Sequence, residues 1–433
     1  MNPALLSLLA LALALVVSSF SSINVGVLSL ALAFLVGHFL AGLKISAITA
    51  GFPTGLFLTL AGITLLFSQA QANGTLEKVT HYSVRLARGR RGMIPIVFFL
   101  LGAGLATVGA GNIAATALLA PIAMSIAAEL GIGAFLMALM LGNGANAAAF
   151  SPFAPTGIIA NSLMARVGLE GVAWPNYLNT LLAQSSVAFA GYFVLGGLRL
   201  FKEGPEHAGQ RRLRELTSQK IEPLTAQQRL TLIVIGLLVV SVVAMQLLNY
   251  VRPNLSFQLD IGLGAFVCAV VLSAARAADE NKAIRGMPWS VILMVCGVTV
   301  LMAVMDKTGG TDLFTRVLAR LSGPDYVYGT IGFVTGIISV YASSSGVVLP
   351  AFIPTVPGLV SHLGGGDPLM IAYSINVGAH LVDMSPLSTL GAICLACAAP
   401  SEDRIRLFRK MLAWGLSMSV VGAAVCQIFF GYR

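Results

Sequence analysis

Two groups of small polar residues carry whatever chemistry this chain performs. The first comprises Asn112, Thr116, Asn143, Asn146, Ser151 and Thr156, with Pro152 beside the serine. The second comprises Ser343, Ser344, Ser345, Asn376, His380, Asp383, Ser385, Ser388 and Thr389. Amides and hydroxyls of this kind hold an anion or a small cation; they are not a nucleophile–base set. No Lys or Arg lies in the segments that contain them, apart from Arg166 near one end. A bound anion must therefore rely on Ser, Thr and Asn side chains, on backbone amides, on helix N-termini with their partial positive charge, or on a co-bound cation. Unwound carbonyls and half-helix C-termini suit such a cation. The alternative for any single Ser or Thr is a hydrogen bond back to its own helix.

His380 and Asp383 stand out as titratable groups in an apolar stretch, where ionisable residues are functional candidates by default. Their spacing of three puts them on one helix face. Two roles are open. His380 contacts substrate with Asp383 orienting it, or Asp383 couples transport to a proton or cation. A satisfied structural pair is the bland alternative.

These residues sit in four unusual segments. Residues 93–128 and 326–362 are apolar but interrupted by Gly109-Ala110-Gly111-Asn112 and by Ser343-Ser344-Ser345-Gly346. Residues 133–164 and 368–398 are broken by Ser151-Pro152 and Ser385-Pro386. Proline removes a backbone donor and glycine lets the chain leave the helix. Broken backbone at membrane depth is tolerated only where protein or a polar cavity covers it. The first pair reads as re-entrant hairpins and the second as broken helices. Continuous spans are expected at about 3–20, 23–43, 53–71, 176–200, 229–249, 257–277, 288–305 and 408–430.

The order of these segments repeats. Gly144-Ala145 matches Gly378-Ala379, Ser151-Pro152 matches Ser385-Pro386, and Gly157 matches Gly391. Upstream, Pro53, Gly62 and Thr64 match Pro288, Gly297 and Thr299, and Pro121 matches Pro354. His380 and Asp383 correspond to Asn146 and Ala149, so the duplication lost its symmetry where titratable groups were gained. The expected organisation is a first repeat, 1–200, a linker, 201–228, and a second repeat, 229–433. Amphipathic interfacial helices are expected at 75–91 and 309–322. An odd number of crossings per repeat turns the second upside down, the inverted-repeat pattern of secondary transporters. With the N-terminus outside, the basic runs Lys78–Arg91, Arg199–Arg229, Arg276–Arg285 and Arg404–Lys410 all fall inside, in line with the positive-inside rule.

The bulk composition supports a lipid-embedded protein. Of 433 residues 57% are hydrophobic and 10% charged, against about 25% charged in soluble domains; mean hydropathy is +0.88. A soluble enzyme, a disordered chain and a nucleic-acid binder are excluded, the net charge of +9 being accounted for by the loops. The fold class expected is an all-α polytopic membrane protein of about ten spans. Ala4–Phe20 reads as a retained span rather than a signal peptide. The five cysteines, including the Cys394–Cys397 pair, lie in apolar helices and read as packing. No phosphate loop, metal cluster or nucleophile constellation is present in the sequence, so an enzyme is not expected, and neither is a cofactor.

The interruptions also resemble a known family. Gly111-Asn112-Ile113 followed by an apolar run to Pro121, Ser343-Ser344-Ser345 followed by a run to Pro350 and Pro354, and the two Ser-Pro steps are similar to the hairpin tips and Thr-Pro breaks of the divalent anion/sodium symporter family. Within that superfamily the chain looks closest to bacterial malonate/dicarboxylate carriers of the MatC type. The resemblance implies a homodimer in the bacterial cytoplasmic membrane, with a transport domain moving as an elevator against a fixed scaffold. It implies a small dicarboxylate (malonate, succinate or malate) held between the tips beside co-transported Na⁺. Asn112, Ser344 and Ser345 would be ligands, with Asn143, Ser343, Asn376 and Asp383 as further cation or proton groups. The Ser-Asn-Thr motif of the family's tips is incomplete here, which leaves proton coupling open. Another anion (citrate, sulfate or arsenite) and cation/proton antiport remain alternatives.

Overall fold

The computed structural model describes residues 2–21, 23–84, 91–202, 223–251 and 260–431. These are helical with no strand among them. The first half contains α1 (Pro3–Phe20), α2 (Val25–Phe34), α3 (Thr54–Ala72), α4 (Thr75–Val84), α5 (Met93–Leu105), α6 (Gly111–Glu129), α7 (Ala134–Ala147), α8 (Pro155–Arg166) and α9 (Ala173–Val194). The second contains α10 (Ala226–Val251), α11 (Ile261–Ala274), α12 (Trp289–Thr308), α13 (Gly310–Leu321), α14 (Val327–Tyr341), α15 (Val356–Leu363), α16 (Pro368–Leu381), α17 (Thr389–Ala396) and α18 (Arg404–Gly431). By length and composition, five helical stretches among the described residues could cross a membrane: Thr54–Ala72, Met93–Glu129 taken across its break, Trp289–Thr308, Ser344–Leu363 and Arg404–Gly431.

Each interruption in the sequence is an interruption in the helices. Between α5 and α6 the chain forms a π-turn, Ala106–Ala110, with Gly109 at φ 120°. Between α14 and α15 it leaves the helix at Ala342, then runs through a π-turn, Ser344–Val348, a short helix and a 3-10 turn, Ile353–Thr355, where Pro350 and Pro354 preclude regular hydrogen bonding. Residues 148–154 separate α7 from α8, and 382–388 separate α16 from α17. Proline starts α8 and α16, a position where its missing N–H costs nothing. Pro121, by contrast, lies inside α6, which continues to Glu129.

Some boundaries differ from expectation for local reasons. The span expected at 176–200 ends at Val194, where Gly196 takes φ 85° and the Tyr192 hydroxyl donates to the carbonyls of Gly92 and Gly197. The second span passes into a π-turn, Leu35–Leu40. Asp260 starts α11 by accepting from the Leu263 amide at 2.9 Å. Helix α13 fills the expected 309–322 element, and Asp312 on it pairs with Arg316 at 2.9 Å and His362 at 2.6 Å. Helix α4 covers the start of the expected 75–91 helix; 85–90 lie outside the described residues, as do 203–222 of the linker.

Packing follows the same plan in both halves. Helix α5 packs on α7, and α14 on α16. Helix α9 covers α7, and α18 covers α16. Helices α2 and α12 pair, as do α3 and α11. Lipid offers no hydrophobic drive for helix pairing, so close backbone approach matters most. Gly144 of α7 faces the backbone of Phe99 in α5, and Gly378 of α16 faces the backbone of Gly332 in α14. A side chain at either would push the pair apart.

Candidate functional site

The two breaks and the two tips meet in one buried hydrogen-bonded network. Asn112 Nδ2 donates to Asn146 Oδ1 at 2.8 Å. Asn146 Nδ2 donates to the His380 carbonyl at 2.7 Å and to Asp383 Oδ2 at 3.0 Å. Ser344 Oγ donates to Asp383 Oδ1 at 2.5 Å and to the Ala379 carbonyl at 2.9 Å. The first tip is thus tied to the second through the Asp383 carboxylate, which lies buried without a cationic partner among the described residues. A buried carboxylate is costly unless hydrogen-bonded, and here both oxygens accept.

His380 and Asp383 do not share a helix face. Helix α16 stops at Leu381, and Asp383 lies in the break beyond it. His380 is oriented instead by its own helix, its Nδ1 donating to the Asn376 carbonyl at 3.0 Å. Its ring packs against Phe150 with centroids 4.6 Å apart, and Nε2 is buried without a partner. Gln184 Nε2 donates to the His380 carbonyl at 2.7 Å, adding α9 to the network. Asn376 Nδ2 donates to Asn176 Oδ1 at 2.9 Å. Asn143 is buried nearby in sequence on α7 with Nδ2 unpartnered.

The break serines do matching work. Ser151 Oγ donates to the Thr107 carbonyl at 2.6 Å, and Ser385 Oγ to the Val340 carbonyl at 3.0 Å. Each satisfies a carbonyl freed where the hairpin's first arm ends. Ser388 Oγ donates to the carbonyls of Asp383 and Ser385. Ser343 Oγ accepts from the Gly346 amide at 3.1 Å. Thr116 is buried with its hydroxyl unpartnered, Pro152 is buried, and Thr389 is exposed.

A cavity of about 250 Å³ opens beside this network. The first tip lines it through Ala110, Gly111, Asn112, Ile113 and Ala114, and α8 through Pro155 and Thr156. Both helices therefore begin at its wall, and neither N-cap residue supplies a side-chain cap. Ser345 reaches it from the second tip. A further wall is one face of α3, Thr64, Phe67, Ser68 and Gln71, with Gly286, Pro288 and Val291. Among the described residues the lining holds no charged side chain. Thr156, Ser345 and Ser68 are 3%, 6% and 7% exposed, and their hydroxyls make no hydrogen bond within the described residues. Free hydroxyls reached from the cavity, beside two helix starts, suit a small anion or a neutral oxyacid.

Of the residues singled out from sequence, Asn112, Thr156 and Ser345 line this cavity. Asn146, Ser344 and Asp383 stand one layer behind it through the hydrogen bonds above. His380, Ser151, Pro152, Ser385, Ser388 and Thr389 are not on its wall. The α3 face was missed. Its signal is the recurrence of Thr64, Phe67, Ser68 and Gln71 at helical spacing on an otherwise apolar span.

Comparison with known proteins agrees with this architecture. A transporter of Mycobacterium tuberculosis with no assigned substrate, Rv2685, is 23% identical over 400 residues, 89% of this chain and 87% of its own. The arsenical pump membrane protein of Escherichia coli K12 is 23% identical over 298 residues, 67% of this chain and 65% of its own. Among solved structures, Neisseria gonorrhoeae MtrF, described as illuminating a class of antimetabolite efflux pumps, superposes with a TM-score of 0.60 at 14% identity, covering 99% of this chain and 95% of its own. The YdaH transporter of Alcanivorax borkumensis superposes with a TM-score of 0.55 at 17% identity, covering 100% and 99%. Fold and relatives define the class as a multi-pass membrane transporter. Within that class, residues 1–149 match the family described as the dicarboxylate carrier protein MatC N-terminus, a stretch that includes the first tip.

Proposed function

We propose that this protein is a secondary transporter of small dicarboxylates, with malonate, succinate or malate as substrate. One observation carries the reading: the starts of α6 and α8, with Thr156 and Ser345, converge on a small cavity where no charged side chain and no partner for either hydroxyl is found among the described residues. The substrate's negative charge is met there by helix termini and hydroxyls rather than by Lys or Arg.

The moving unit in this reading comprises both hairpins and both broken helices, in two inverted repeats of five crossings each. The matched packing of α5 on α7 and α14 on α16, and the matched serine ties in the two breaks, support a repeat. With the N-terminus outside, the Gln71, Leu76 and Gly286 end of the cavity faces the cytoplasm. The carrier would act as a homodimeric elevator in the bacterial cytoplasmic membrane.

Asp383 is the coupling group in this reading. Its carboxylate joins the tips through Asn146 and Ser344, so a proton or Na⁺ arriving there changes how both tips are held. Protonation would turn one accepting oxygen into a donor, and Ser344 or Asn146 would have to reorient.

Reconstitution tests the reading. Purified protein in liposomes should accumulate labelled malonate or succinate when a Na⁺ or a pH gradient is imposed. Accumulation under Na⁺ alone assigns a sodium symporter; accumulation under a pH gradient alone assigns proton coupling through Asp383. Silence with every dicarboxylate under both gradients removes the substrate claim. The arsenical pump relative and the uncharged lining favour one second reading, a neutral arsenic(III) oxyacid. Arsenite accumulation without dicarboxylate accumulation would establish it.

A further inference from the structure

We infer that Ser68 and Gln71 on α3 form a subsite for the far end of a two-ended substrate, and that their distance from the first tip selects its length. The inference rests on the transport reading above and adds the scaffold to the binding site.

Three observations carry it. Thr64, Phe67, Ser68 and Gln71 follow one another at intervals of three, one and three, so they share a single face of α3, and all four line the cavity. That face is pressed onto the tip: a Cβ on Gly109 would come within 2.5 Å of the Phe67 ring. Ser68 is a buried residue whose hydroxyl has no hydrogen-bond partner within the described residues and is reached from the cavity. A ligand oxygen in the cavity can take the hydrogen bond that this hydroxyl otherwise makes to water. Gln71, one turn further on, is exposed at the mouth, and its side chain is likewise unpartnered. Thr64 is already engaged, its hydroxyl donating to the Leu60 carbonyl at 2.7 Å.

The cavity then has two polar ends. One is built from the starts of α6 and α8 with Thr156 and Ser345. The other is built from Ser68 and Gln71. Its volume of about 250 Å³ is that of roughly eight water molecules at ~30 Å³ each, room for a three- or four-carbon diacid together with several waters. A monocarboxylate would satisfy the tip end and leave the α3 end unpaired. Because α3 belongs to the part that stays fixed, its bonds to substrate must break before the tips move. They contribute to binding in the starting state and nothing to the moving state.

The test is transport by the full-length protein in liposomes, with labelled malonate and competition by unlabelled malonate, succinate, glutarate and acetate. The variants are Ser68→Ala, Gln71→Ala, the pair together, and Ser68→Thr, which keeps a hydroxyl. The pair should raise the malonate KM about tenfold, as loss of one or two hydrogen bonds to a charged group does, with no fall in maximal rate. Competition by acetate should change less than twofold, and Ser68→Thr should restore most of the malonate affinity. Equal shifts for malonate and acetate, a fall in maximal rate with KM unchanged, or no shift at all would each overturn the subsite while leaving the transporter reading intact. A wild-type protein that carries no carboxylate would remove both.

Discussion

The two hairpin tips occupy corresponding places in the chain and have become different things. The first bends through Gly109 and Gly111 at positive φ and opens onto the cavity with Asn112 at its wall. The second bends through Ser343–Gly346, is buried throughout its π-turn, and donates to a carboxylate through Ser344. The helix starts behind them differ likewise. Thr156 of α8 lines the cavity, whereas the matching position in α17 is the buried apolar Leu390, and Thr389 at the start of that helix is exposed. The two halves thus carry different tasks: the first supplies most of the cavity's polar wall, and the second supplies the charge that ties the tips together. Asn146 links the two, since it bonds to the first tip and to Asp383 at once.

Substitutions should separate these tasks. The largest effect is expected at the charge. Asp383→Asn keeps the shape but removes the carboxylate, costing about 1.5–3 kcal/mol in charge-assisted hydrogen bonding. Gradient-driven accumulation should fall roughly 10- to 100-fold, with substrate exchange across the membrane retained. Accumulation that persists at wild-type level would take the coupling role away from Asp383.

Next is the difference between the bends. Gly109→Ala forces a side chain into φ 120° against the Phe67 ring and the Phe153 carbonyl, a strain of about 1–3 kcal/mol. Melting of the purified protein should drop by several degrees, as expected for a shift of about that size, and uptake should fall with it. Gly346→Ala meets mainly the Met294 thioether, which can move; about 1 kcal/mol is expected. Equal damage from the two would show that the tips are not distinguished by the backbone of the first.

Smaller effects distinguish the cavity wall from its surroundings. Ser345→Ala and Thr156→Ala each remove an unpaired wall hydroxyl and should raise the substrate KM about fivefold, as loss of a hydrogen bond of about 1 kcal/mol implies. Ser151→Ala and Ser385→Ala each free one carbonyl at a break and should lower melting with KM unchanged, by about 1 kcal/mol each. Thr389→Ala should change uptake less than twofold; a larger loss would restore symmetry between the two helix starts.

Much of this was legible locally. Glycine, proline and serine clusters disclosed all four interruptions because the backbone itself demands those residues where a helix breaks. The local parallels were legible too, because Gly144 and Gly378, and Ser151 and Ser385, perform the same local tasks. What was not legible depended on where a helix stops. Asp383 and His380 share a face only on a helix that continues, and α16 ends between them. Nor does an apolar span announce a functional face: Ser68 and Gln71 on α3 look like incidental polar residues until the first tip is seen resting on Phe67.

Composition and pattern alone determined that the chain is helical, apolar and interrupted at four places, because hydropathy and backbone chemistry act over a few residues. They also determined that any anion must be held without a buried Lys or Arg, since none is present near the breaks. Only the tertiary structure decided which polar groups meet. Asn146 finds Asp383 across 237 residues of chain, and Ser345 comes to share a cavity with Ser68 and Thr156 from three separate elements. Those meetings depend on how helices approach one another, and that is set by packing summed over the whole bundle rather than by the residues that meet.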